Sequence, residues 1–206
     1  MKKILITLGI FAFAFIILLI SIFDSSVITY PISHITPESL EGANIPNINY
    51  PLPKAGRVLP DSPLWKIKAI RDRVWFEMTP SHLRKAQLAL LFADKRLVMA
   101  QTLFEQGKND IALQTFTKAE KYLPIAAEQE RIARQQGTDT NNFLMQLAIA
   151  SLKHKEIAGR LIQSVPESDR SLIAQNEIYA EDAYKTSLEA LNSKGISLPK
   201  NPFDGD

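Results

Sequence analysis

Three histidines are the residues best suited to acid–base or metal chemistry near neutral pH, and none has a partner at a useful spacing. His34 lies in a Pro-rich stretch, His82 opens a helical pattern, and His154 falls mid-helix on an apolar stripe. No two stand three or four residues apart and no Glu-x-x-His occurs, so a helical metal site is not expected. For a haem, Met145 and His154 are the nearest pair of ligand types, but they project from different sides of one helix. His154 is therefore expected as a neutral, hydrogen-bonded residue of a helix seam. The competing reading is a ligand-binding or enzymatic bundle with its site around His154.

The absence of Cys excludes a disulfide framework, a thiolate metal site, a Cys nucleophile and an acylated Cys. No G-x-S-x-G, P-loop or G-x-G-x-x-G is present. The acids are scattered over polar faces; Glu128, Glu130, Glu181 and Asp182 read as solvated, with the Glu130 stem snorkelling outward past Ala86. Asn176 and Tyr179 are candidates for buried polar groups that set helix register. No catalytic residue, cofactor or metal is expected, and the chain does not read as an enzyme.

Lys66, Lys68, Arg71 and Arg73 interleave with Trp65 and Trp75, a mixture that can suit nucleic acid or a membrane surface. Asp61, Asp72 and Glu77 dilute it. The formal excess of +2 comes from Lys2 and Lys3, so the rest of the chain is balanced and no nucleic-acid partner is expected. The same segment offers an interface. If Ile67, Ile70, Val74 and Met78 cover the hairpin, then Trp65, Trp75 and Phe76 face away, and are either covered by the fourth or fifth helix or by linker residues such as Leu52 and Pro53, or left to bind a partner.

The elements that position these groups are helical. Leu83, Leu90, Leu97 and Phe104 repeat every seven residues, as do Ala86, Ala93 and Ala100, the coiled-coil signature of a seam. After Gly107 the pattern resumes as Ala112, Phe116, Ala119, Leu123, Ala126 and Ala133. Folding the chain back at Lys108 sets Leu97 against Ala119, Ala100 against Phe116, Ala93 against Leu123 and Leu90 against Ala126. Large meets small at each pair, which permits close packing.

Helices are expected over about 63–78, 80–106, 109–136, 142–164 and 168–194, one short and four long. Pro124 should kink the third. The fourth carries Leu147, Ala150, Ser151, His154, Ile157, Ala158 and Leu161; the fifth carries Leu172, Asn176, Tyr179, Ala183, Thr186 and Ala190. Short connections imply an all-α, antiparallel up-and-down bundle over residues 61–195, with a tail over 196–206.

Ahead of it, Ile4 to Phe23 is uncharged and about as long as a bilayer core is thick. Its length and the poor cleavage sites around Ser25 and Ser26 favour an uncleaved signal-anchor over a secretory signal. Lys2 and Lys3 then keep the N-terminus cytoplasmic and place the bundle outside; secretion is the alternative. Residues 24–60 hold six prolines, Pro31 to Pro60, and read as a linker, part of which can lie on the bundle.

Leu59-Pro60-Asp61-Ser62-Pro63-Leu64, then a basic aromatic helix and an Ala/Leu hairpin, resembles a bacterial domain-of-unknown-function family of exported or membrane-anchored helical proteins, over Val58 to Lys194. The resemblance implies a helical extracytoplasmic domain and brings no activity. Ala112, Phe116, Ala119 and Pro124 are also weakly similar to one tetratricopeptide-like hairpin. The expected function is protein binding or scaffolding in the cell envelope, with a protein or glycan partner.

Overall fold

The structure, a computed structural model, describes residues 45–197 and 201–203. Among them are six helices and no strand: α1 Trp65–Met78, α2 His82–Glu105, α3 Asn109–Glu120, α4 Tyr122–Gln135, α5 Asn141–Ser164 and α6 Glu167–Asn192. The Ile4–Phe23 run and the linker up to residue 44 lie outside the described residues. No helix among the described residues is long and apolar enough to cross a membrane.

The hairpin forms as its pattern predicts. Gly107 turns the chain at φ +72°, a conformation costly for a residue with a Cβ. Lys108 N–H bonds Leu103 C=O and Gly107 N–H bonds Phe104 C=O, so a Schellman motif closes α2. Leu97, Ala100, Phe116 and Ala119 share one core cluster; Ala86, Leu90, Ala93, Leu123 and Ala126 share another. The expected third helix is two. Pro124 has no N–H for the Glu120 carbonyl, and the helix breaks at Lys121 between α3 and α4.

α2 does more than present one seam. It is buried on nearly every side from Leu88 to Ala100, because Leu88, Leu91, Phe92, Val98 and Met99 fill the faces that the heptad rows leave open. α5 and α6 form a second antiparallel pair: Leu144 clusters with Ala190 and Leu191, Ala148 with Tyr184, and Leu161 with Ile173. Every residue of the expected α5 stripe is buried. Of the expected α6 stripe Asn176, Ala183 and Ala190 are buried and Leu172 and Thr186 are exposed; the buried face is shifted towards Ile173, Ala180, Tyr184, Ser187 and Leu191.

Residues 45–53 are not a free spacer. Ile48, Tyr50 and Leu52, at the two-residue spacing of an extended chain, turn inward onto the α5 and α6 core. Glu156 accepts the Ile48 N–H at 2.7 Å, and Lys153 donates to the Ile48 carbonyl at 3.1 Å. Gly159 lies beneath, with Ile45 Cδ1 3.4 Å from where a Cβ would stand.

The expected orientation of α1 is reversed. Trp65, Trp75 and Phe76 are half-buried, whereas Ile67 and Ile70 are 68% and 65% exposed and Val74 and Met78 also face outward. Cations and rings on α2 draw the aromatics in. The Arg96 guanidinium lies 5.9 Å from the Trp65 ring, Trp75 meets Phe92 edge-on at 6.2 Å, and Lys85 sits 5.5 Å from Phe76. The aliphatic stripe has no such partner. Asp61, just ahead of α1, pairs with Lys108 and ties the approach to α1 to the α2–α3 turn.

Candidate functional site

The polar centre of the molecule is a relay of buried side chains around His154. α5 carries His154 on the face that packs against α2 and α3. Nδ1 lies 2.8 Å from Glu120 Oε1 at the end of α3, and Nε2 lies 3.2 Å from Asp94 Oδ1 in mid-α2. Tyr50, from the extended segment, donates its hydroxyl to Asp94 Oδ2 at 2.8 Å. His154 and Asp94 are fully buried and Glu120 nearly so. Four separate stretches of chain thus meet at one ring.

His154 is the buried, hydrogen-bonded seam residue expected, but it is charged and not neutral. Burial opposes its charge, but the Glu120 and Asp94 carboxylates outweigh that and hold its pKa up to about 9. Only a ring protonated on both nitrogens can donate to both carboxylates at once. Burial pushes Asp94 above the usual carboxylate range, against the hydrogen bonds from His154 and Tyr50. A charged imidazolium between two acids, sealed from water, is a fastener between helices, although Glu120 Oε2 is buried without a hydrogen-bond partner among the described residues.

Two further acids reinforce the same plan. Glu156, fully buried, takes the Ile48 N–H, Lys153 at 2.9 Å and Arg160 at 2.7 Å. Glu130 does not snorkel outward. It is fully buried, and its Oε1 accepts from Arg134 at 3.0 Å and from Thr140, which starts α5. Outward snorkelling would take its carboxylate away from the Thr140 hydroxyl. Glu128 and Glu181 are solvated as expected, each paired on its own helix with Arg131 or Lys185.

Asn176 is buried and bonds back to the Leu172 carbonyl at 2.6 Å, within its own helix; Tyr179 is half-buried. Trp65, Trp75 and Phe76 lie on α1 against α2, remote in sequence from the relay. The described residues hold no group of three His, Asp or Glu side chains arranged for a metal ion. An open surface depression of about 440 Å³ lies between α3 and α6, walled by Leu113, Thr117, Lys121 and Leu172, and His154 is not among its walls.

Asp94, Glu120, Glu156 and Tyr50 were not anticipated. A signal for the first two exists: Asp94 follows directly on the apolar run Leu88 to Ala93, at the head of the charged Asp94-Lys95-Arg96, and the hairpin fold-back brings it near Glu120. Two carboxylates drawn together inside a core require a cation between them.

A family profile described as "Domain of unknown function (DUF5667)" matches residues 57–190, more than half of the 206-residue chain. No curated protein matches the chain, and no solved structure does.

Proposed function

The chain belongs to the DUF5667 family, and from that starting point we propose that it is a membrane-anchored, extracytoplasmic helical module that binds or scaffolds other envelope components. The observation that carries this reading is the relay itself. The side chains most able to do chemistry, His154, Asp94 and Glu120, are buried and bonded to one another between helices. A body built this way offers its outer surface for work. The uncharged Ile4–Phe23 run behind Lys2 and Lys3 supports the single-pass anchor and the outward domain. The Leu59–Leu64 motif, in this reading, marks the start of the exported helical body.

The test is protease treatment of intact cells that make the full chain, followed by crosslinking in the envelope. Protection of the bundle in intact cells, with cleavage only after lysis, would place it inside and overturn the location. Crosslinked envelope partners lost on disrupting the surface, with folding retained, would support the scaffold role.

A further inference from the structure

We propose that the outward face of α1 is a docking surface for an anionic lipid bilayer, on which the helical body lies once tethered. This rests on the membrane-anchored reading above. The face is one continuous aliphatic stripe. Leu64, Ile67, Ile70, Val74 and Met78 are all exposed, and helical spacing sets the last four within a third of a turn. Lys66 and Arg73, both exposed, border one edge together with Glu77, and Arg71, its side chain 60% exposed and paired with the buried Asp72 at 2.6 Å, borders the other. Neither Lys66 nor Arg73 has an ion-pair partner among the described residues. Glu77 is the one exposed acid on the helix. A stripe of large aliphatic groups with basic margins is the chemistry of a helix lying in the headgroup region, with the apolar face in the acyl boundary and the cations at the phosphates.

The aromatics explain why the stripe stays outward. Trp65, Trp75 and Phe76 hold the opposite face against Arg96, Phe92 and Lys85, so α1 cannot turn its aliphatic side inward without losing those contacts. A second copy is the weaker occupant. α1 has 14 residues, so the stripe is about 20 Å by 10 Å, roughly 200 Å² per copy, whereas stable pairs bury about 1,200–2,000 Å² in total. A bilayer needs no such area when the same chain is already tethered to it, because the tether supplies a high local concentration.

The chain contains no Cys, so Ile70→Cys gives one attachment point for a spin label, with Lys118→Cys on α3 as the aqueous control. The full chain is reconstituted in phosphatidylcholine vesicles with and without phosphatidylglycerol. Co-flotation after alkaline washing reads the anchor; access of oxygen against a water-soluble nickel reagent reads the depth of the label. The expected result is alkali-resistant flotation in both lipids, with the position-70 label in the acyl boundary only when phosphatidylglycerol is present. Arg73→Glu, which leaves the aliphatic stripe intact, should weaken that partitioning by about fivefold or more.

Flotation with an aqueous label at position 70 overturns the docking surface and leaves the anchor standing. Salt-sensitive binding to phosphatidylglycerol alone, with the label in lipid, overturns the anchor and supports the docking surface. Spin–spin broadening between copies, or a label shielded from both reagents by the chain's own residues, overturns the proposal, as does failure to bind in any form.

Discussion

At the scale of single residues, the relay around His154 sets the energetics. Removing one member of a buried ion pair strands the other charge, and such losses run to about 3–5 kcal/mol. His154→Ala should therefore destabilise the fold by about that much in urea unfolding, far more than an exposed substitution. The pH dependence follows from the same ring. Its pKa is about 9 folded against 6.5 ordinarily, so the folded state binds the proton more tightly. Its contribution is complete below about pH 6.5 and is lost as pH rises through about 9. The unfolding midpoint should fall across that interval, and His154→Gln should flatten the fall. A midpoint that stays level from pH 6 to 10 would contradict a charged His154.

The heptad arithmetic could find the neighbourhood of the ring but not its charge. Sequence spacing places His154 on the α5 stripe; it does not say that α2 and α3 each deliver a carboxylate to it. Those approaches are tertiary facts. Glu130 was misread for the same reason, since its partner Thr140 belongs to the next helix start.

At the scale of elements, what repeats was legible and what pairs across the chain was not. The α2–α3–α4 hairpin followed from alternating large and small residues, from Gly107 and from Pro124, all local signals. Ala119, fully buried against Leu97 and Phe116, has no room for a larger side chain. Ala119→Leu should cost about 1–3 kcal/mol, measured by thermal or urea unfolding. A neutral result would mean that α2 and α3 are not in close register. The facing of α1 was not legible, because both its sides are apolar. The choice was made by Arg96, buried on α2, whose guanidinium lies 5.9 Å from the Trp65 ring of α1. A cation inside a core takes the aromatic side of a helix over the aliphatic one. Arg96→Leu should therefore loosen α1 selectively, seen as faster amide exchange over Trp65–Met78 with α5 and α6 unchanged. Uniform loosening across all helices would assign Arg96 to the core rather than to α1.

At the scale of the whole molecule, the family match begins at residue 57, yet the folded body extends N-terminally of it. Ile48 and Pro53 are buried, Tyr50 and Leu52 join the core clusters, and the segment satisfies Glu156 and Asp94. Prolines made this stretch read as linker, and the two-residue alternation of Ile48, Tyr50 and Leu52 is too short to separate from chance. Its burial became visible only with the groove it fills. A chain starting at residue 57 would expose the apolar bed of that segment and strip a hydrogen bond from each of two fully buried carboxylates. Burying one large apolar side chain is worth about 1.5–3 kcal/mol, and an orphaned buried acceptor costs about 1–3 kcal/mol. The shorter chain should thus lose at least about 3 kcal/mol relative to one starting at residue 45, read as a lower urea midpoint. Tyr50→Phe and Ile48→Ala in the longer chain should each reproduce part of the loss. Equal midpoints for the two lengths would return residues 45–53 to the role of a simple spacer.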